Sequence, residues 1–264
     1  MVLTVHDPFP HTGEVTRRKL FFRALAFKLC SRFVLLNKQQ LVGFSNFYHI
    51  DESKITTSTL GIYDYLSLFS KLLESNKTQQ VLFYGRFSPY KGIEYLCKAM
   101  EIVHEKCPKA NLVIAGSGSL YFDWNLYKDK TYMRLINRYL SLTEIVSLIS
   151  ESRIVVCPYT DATQSGVVTN AFSMSKPVIA TRVGGLPDMV KNEETGLIVE
   201  PRNEKELARA IIRLLTSEVD YRKMCANIDD YYHKGNCSWK SISEGYIKVY
   251  SALTKAGGNV TSII

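Results

Sequence analysis

Arg86 and Lys91 stand five positions apart in the stretch Tyr84-Gly85-Arg86-Phe87-Ser88-Pro89-Tyr90-Lys91-Gly92. A guanidinium forks onto two oxygens and an ammonium adds a compact point charge, so this pair suits a diphosphate. The apolar run Val81-Leu82-Phe83 just before it reads as a buried strand that opens into a glycine-bounded loop. A helix beginning near Gly92 would follow, and its first amides, lacking intrahelical partners, would favour an anion. A basic loop alone is usually just solvated. This one gains weight from three further turns suited to phosphate or sugar, each at strand-helix spacing.

The first of these, Gly116-Ser117-Gly118, follows an apolar run and combines glycines that let a backbone approach a ligand with the Ser117 hydroxyl. A short glycine pair of this kind also serves any tight turn. The second is the loop Pro158-Tyr159-Thr160-Asp161-Ala162-Thr163-Gln164-Ser165-Gly166-Val167. Ser165 is placed to cap a helix whose free amides, at Gly166 and Val167, would face an anion. Asp161 can accept from sugar hydroxyls, and Gln164 can both accept and donate. Standing alone, such a loop more often reads as an ordinary capped turn. The third, Lys176-Pro177-Val178-Ile179-Ala180-Thr181-Arg182-Val183-Gly184-Gly185-Leu186-Pro187-Asp188, carries a glycine pair for a sharp return and a proline suited to a first helical turn. Thr195 to Val199 then reads as a hairpin-like edge, and both segments read as scaffold.

The elements that must position these residues alternate regularly. Strands are expected at 81–84, 112–115, 133–136, 154–157, 178–181 and 197–199, with helices at 93–105, 143–150, 167–174 and 204–215. Near-continuous apolar strands alternating with amphipathic helices predict an α/β fold with a parallel sheet covered on both faces. In such sheets the ligand lies beyond the carboxyl ends of the strands, where every motif above falls. The first 80 residues form a separate block: strands at 2–5 and 32–36, helices at 16–31 and 38–47, about two strand-helix units in all. The polar run 71–80 is the best linker. The organisation expected is therefore a partial Rossmann-like domain over 1–75, a complete nucleotide-sugar-type domain over 76–235, and a C-terminal helix in 236–264 returning toward the first block.

With 46% hydrophobic and 22% charged residues among 264, the chain has the composition of a folded globular protein. Its six cysteines are scattered without metal-ligand spacing, so they read as small core hydrophobes in a reducing compartment. No run is long enough for a membrane span, and a cytoplasmic location is the expectation. The net charge of +8 concentrates in Arg17, Arg18, Lys19, Arg23, Lys28 and Arg32, interleaved with Leu20, Phe21, Phe22, Leu25 and Phe27. A basic, aromatic-rich helix can lie on an anionic membrane surface at the inner face. Its apolar positions run nearly all round the wheel, however, so a partly buried helix with a basic outer edge stands equally. Nucleic acid is disfavoured, because no recognition helix or stacking platform accompanies the charge. A nicotinamide dehydrogenase is disfavoured as well, because no G-x-G-x-x-G follows a strand.

The ordered series G-R-F-x-x-Y-K-G, A-G-S-G, the Pro158-Tyr159 loop, K-P-V-I-A-T-x-V-G-G-L-P-D and T-G-L-I-V-x-P resembles family 4 of the retaining glycosyltransferases, which have the GT-B fold. The resemblance covers roughly 81–216. The start, from Thr4 to Glu14, looks like the middle of that family's N-terminal domain. The resemblance implies that Arg86 and Lys91, with Gly85 beside them, hold the donor diphosphate, and that Gly166 and Val167 present amides to its distal phosphate. It implies that His6 faces the reaction centre and that Arg138-Tyr139-Leu140 borders the nucleobase. The family often carries E-x7-E across sugar and ribose; here those positions hold Ala162 and Asn170, which leaves Asp161 as the nearby acid and Asn170 as a neutral partner for the ribose. The first half of the family's N-terminal domain has no counterpart, so a fragment, a split product or a loss of acceptor binding is the expectation. The function expected is transfer of a sugar from a nucleotide diphosphate sugar to a polysaccharide or lipid-linked glycan, with no metal and no cofactor beyond the donor. The alternative is a truncated, non-catalytic protein that binds nucleotide sugar or a membrane surface.

Overall fold

In the computed structural model, which describes residues 1–6, 8–9, 17–62, 66, 79–235 and 237–256, the strands fall into two parallel sheets. The first holds β1 (Val2–Val5), β2 (Arg32–Leu35) and β3 (Ile55–Thr57) in the order β1-β2-β3. Its helices among the described residues include α1 (Arg17–Lys28) and α2 (Leu41–Tyr48), which follows a 3-10 turn at Lys38–Gln40. The third strand is not among the sequence expectations, because only Ile55 in it is buried and two threonines follow. The core of this block is aromatic: Phe27 lies edge-on to Phe33, Phe44 and Tyr48, with centroids 4.6 to 5.7 Å apart. Contacts of that geometry add to simple burial. Phe21, Phe22 and Leu25 of α1, and Leu29 just past it, stay exposed, as expected of a helix apolar on all sides.

The second sheet contains β4 (Gln80–Tyr84), β5 (Asn111–Gly116), β6 (Met133–Asn137), β7 (Ile154–Cys157), β8 (Val178–Thr181) and β9 (Gly196–Val199). Their order is β6-β5-β4-β7-β8-β9, so the winding reverses between β4 and β7. Ile154, Val155, Val156 and Cys157 are all fully buried, which explains why an unbroken apolar run makes a central strand. Around the sheet stand α3 (Ile93–Lys106), α4 (Leu142–Glu151), α5 (Gly166–Ser173), the short α6 (Leu186–Met189) and α7 (Glu204–Thr216). In α7, Leu207, Ile211, Leu214 and Leu215 recur at helical spacing and are buried, and the helix packs on α3. The segment expected as a hairpin-like edge is corrected here. β9 runs parallel to β8, with Val178 opposite Gly196 and Thr181 opposite Val199, and α6 lies on the crossover between them.

Past α7 the chain continues as α8 (Glu218–Ile228) and a π-helical turn at Asp229–Lys234. It then returns to the first sheet as α9 (Trp239–Ala256). The Trp239 indole N–H donates to the Ile62 carbonyl, and the Tyr246 hydroxyl lies 3.1 Å from that of Thr4 on β1. The two sheets also touch at their carboxyl ends. The Gln39 amide, just past β2, donates to the Asp188 carboxylate of α6 at 3.0 Å, and the Asn37 amide packs against Gly185. The linker expected at 71–80 lies outside the described residues up to 78, as do the side chains of Arg17, Arg18, Lys19 and Leu20.

Candidate functional site

The reversal between β4 and β7 opens a crevice at the carboxyl ends of those strands, where open α/β sheets bind their ligands. Arg86 leaves the end of β4 with an exposed side chain. Lys91 closes a 3-10 turn at Pro89–Lys91, and its Nζ lies 3.6 Å from the centroid of the buried Tyr159 ring and 5.0 Å from that of Tyr90. Burial first, and the neighbouring Arg86 charge after it, lower the Lys91 pKa to about 8. The turn is pinned to the loop after β7: the Thr160 N–H donates to the Tyr90 carbonyl at 2.7 Å. Gly92, at φ +62°, leaves its side-chain position to the Pro158 carbonyl, which a Cβ would meet at 2.0 Å.

The amides expected to await an anion at Gly92 are corrected by the structure. The first of them, on Ile93, donates to the Tyr121 hydroxyl at 2.8 Å. The helix start that does stand open is that of α5. Ser165 occupies its N-cap position but makes no capping bond, contrary to expectation, because its hydroxyl lies 3.2 Å from the Tyr159 hydroxyl. Gly166 is exposed, and a Cβ there would meet nothing within 4 Å. Beneath it the buried Tyr84 hydroxyl donates to the Val167 carbonyl at 3.4 Å, and burial raises its pKa far enough to keep the phenol protonated. Tyr159 thus touches both halves of the site, Lys91 through its ring face and Ser165 through its hydroxyl.

The remaining expected residues spread over the crevice rim. Asp161 is half-buried and lines a hollow of about 440 Å³ with Tyr90, Glu94, Tyr95 and Arg202. Gln164 is half-buried two residues before Gly166. Asn170, on α5 beside the Tyr84 hydroxyl, keeps its Oδ1 buried with no hydrogen-bond partner. Gly116 and Gly118 serve a different purpose from the one expected. A Cβ on Gly116 would lie 1.8 Å from the Gly85 carbonyl, and one on Gly118 would lie 2.8 Å from that of Phe87. These glycines let the loops after β4 and β5 pack backbone to backbone, joined by the Phe87 N–H donating to the Ser117 carbonyl at 2.9 Å. Ser117 lies half-buried on this seam.

Of the stretch Arg138-Tyr139-Leu140, Tyr139 is the most open at 84% exposed, Arg138 is exposed as well, and Leu140 is buried in the core. Arg138 pairs with Glu144, whose carboxyl also accepts from the Ser141 amide and hydroxyl in a capping box. These contacts, Arg138 first, hold the Glu144 pKa at about 2. Arg138→Ala should bring it up toward the ordinary value of about 4, read by carbon-13 NMR titration. A midpoint that stays put would assign the effect to the capping box alone. His6, exposed just past β1, lines a cavity of about 470 Å³ with Thr4, Trp239 and Tyr246; this cavity shares no lining residue with the hollow at Asp161. Residues Asp7 and 10–14 of the motif around it lie outside the described residues.

Tyr159, Tyr84 and Tyr121 organise this site, although the sequence assigns none of them a role and marks Tyr159 only as part of the Pro158-Tyr159 motif. The signal available was an apolar strand ending directly in Pro158-Tyr159. Asn37 and Gln39 had no sequence signal at all. Among the described residues, no group of three or more His, Cys, Asp or Glu side chains is placed to hold a metal ion, and no helix is long and apolar enough to cross a membrane.

Two parallel sheets meeting at their carboxyl ends, bridged by a returning C-terminal helix, have the fold of GT-B glycosyltransferases. The model of the family "Glycosyl transferases group 1" matches residues 78–217, more than half of the chain, and the chain belongs to that family. An uncharacterized glycosyltransferase of Methanocaldococcus jannaschii is 31% identical over 65% of this chain and 44% of its own length. The D-inositol 3-phosphate glycosyltransferase of Corynebacterium glutamicum is 30% identical over 66% of this chain and 43% of its own. The chain therefore spans about half the length of these curated relatives. The crystal structure of Anabaena HepE in complex with UDP-glucose superposes with a TM-score of 0.72 at 18% identity, covering 95% of this chain and 72% of that one.

Proposed function

We propose that the protein transfers a sugar from a nucleotide diphosphate sugar to a glycan or lipid-linked acceptor, with the retention of anomeric configuration that its likeness to family 4 implies. The observation that carries this reading is the convergence of Arg86, Lys91 and the uncapped start of α5 on one crevice. Three sources of positive potential, two formal and one from unpaired amides, match a diphosphate. Charge develops on the departing nucleoside diphosphate in the transition state, so groups that bind it there also accelerate transfer. In this reading residues 76–235 hold the donor, and the block 1–75 with 236–264 holds the acceptor near His6. Tyr139 supplies a ring to the base, and no further cofactor takes part. The Anabaena relative's complex with UDP-glucose supports a donor of this class. The exposed aromatic residues of the basic helix α1 support residence on an anionic membrane surface.

Incubation of the protein with radiolabelled nucleotide sugars tests the reading, with label appearing in a glycan or lipid fraction as the expected result. Hydrolysis or transfer with none of the common donors would count against it. Asp161 provides a finer test. If its carboxylate bonds the sugar, Asp161→Asn should weaken nucleotide-sugar binding several-fold more than binding of the bare nucleotide. Equal losses would move Asp161 to the phosphates or the fold.

A further inference from the structure

Two hollows adjoin at the carboxyl ends of β1, β2 and β3. One, of about 470 Å³, is walled almost entirely by hydrocarbon, from Leu36, Leu60, Ile242, Ile247 and the Trp239 and Tyr250 rings. Its polar lining is His6, Thr59, Ser243 and the Thr4 hydroxyl, the last paired with that of Tyr246. The other, of about 420 Å³, opens toward the second sheet and carries Lys38, Thr57, Ser58, Asp188 and Ser241. Leu36, Thr59, Leu60 and Ile242 line both, so the hollows lie side by side, one an apolar end and the other a polar end. Each has the volume of a small-molecule site.

The contrast between the two ends restricts the occupant. A wholly apolar molecule would leave Lys38 and the hydroxyls of Thr57, Ser58 and Ser241 facing hydrocarbon, which costs free energy. A wholly hydroxylated one would gain nothing from the hydrocarbon wall. An amphipathic molecule satisfies both. We infer that this double hollow binds the acceptor through an apolar group: the acceptor is an amphiphile whose apolar part lies against α9 and whose hydroxylated head lies between Lys38 and Asp188, turned toward the second sheet. The word acceptor rests on the function proposed above; the binding of an amphiphile does not.

The geometry also explains the form of α9. Trp239, Ile247 and Tyr250 remain about half-exposed on the helix, an unusual disposition for large apolar groups that line a cavity unless something covers them. Gly245 lies at the polar end with open space where a side chain would stand.

Trp124 and Trp239 are the two tryptophans of the chain, so Trp124→Phe leaves Trp239 as a reporter in the wall of the site. Octyl β-glucoside, titrated below its micellar concentration, should change Trp239 fluorescence saturably, whereas glucose alone should not. Ile247→Glu places a charge on the apolar wall at an exposed position, and Gly245→Leu fills the polar end. Each should weaken octyl glucoside binding at least tenfold while UDP affinity, measured by calorimetry, stays unchanged. No saturable response, equal affinity in both variants, or a response that follows self-association in sedimentation would overturn the inference. UDP binding without an octyl glucoside response would sink this inference alone. An octyl glucoside response without UDP binding would sink the donor reading and leave the amphiphile site standing.

Discussion

Lys91→Ala and Arg86→Ala should each weaken nucleoside diphosphate binding by about 1.5–3 kcal/mol, the range for charge-assisted hydrogen bonds. Calorimetry reads the effect directly, and unchanged affinity in both variants would remove this loop from the site. A pH dependence comes with it. Lys91 titrates at about 8 in the free protein because it is buried beside Tyr159 and near Arg86. Below that pH the ammonium is present before the anion arrives. Above it, binding must first take up a proton, so affinity should fall toward tenfold per pH unit, with measurable proton uptake. Lys91→Arg, charged throughout, should flatten the profile. The sign for stability is the reverse of that for affinity. The folded pKa lies below the unfolded value of 10.5, so the folded state binds the proton less well. The resulting penalty is full below about 8 and fades as pH rises from there to 10.5.

Gly116→Ala should destabilise the fold by about 3 kcal/mol or more, since a Cβ would enter the Gly85 carbonyl at a φ of +149°. Gly166→Ala should change stability by no more than about 0.5 kcal/mol, because the space beside it is empty. Its methyl would nevertheless stand in front of the first amides of α5, so nucleotide affinity should drop several-fold. Urea midpoints and calorimetry on the two variants separate a glycine that fits backbone to backbone from one that leaves room for a ligand. A destabilised Gly166→Ala protein, or one with undiminished affinity, would show that the open start of α5 is not the phosphate site.

This pair also marks how far the sequence could be read. The central strands were legible nearly residue for residue, because Ile154–Cys157 and Val178–Thr181 are unbroken apolar runs buried on both faces. α8 was not, because only Met224 and Ile228 of its residues are buried and the rest carry no amphipathic pattern. In the site, the positions of the glycines were legible and their purposes were not: Gly116 and Gly166 look alike until their neighbours are known. Likewise the chemistry of Lys91 could be read from its type, but not its depressed pKa, which comes from burial against the loop after β7 and from the Arg86 charge. The hairpin-like reading of Thr195 to Val199 failed because a strand's partner and direction are tertiary facts, and β8 was the partner in parallel.

The chain crosses between its two sheets twice, once between Thr57 and Gln80 and again between Lys234 and Trp239. Two connections leave one easy freedom, rotation about the line that joins them, much as a door hung on two pins can swing but not slide. The second crossing is held by the Trp239 indole at Ile62, close to where the first begins, so the two pins sit near each other. The contacts of Gln39 with Asp188 and Asn37 with Gly185 tie the two sheets together across the crevice and act as a latch. Among the described residues, opening the crevice to admit a nucleotide would release the Gln39–Asp188 hydrogen bond and the Asn37 packing, while the core of each sheet moves as a unit.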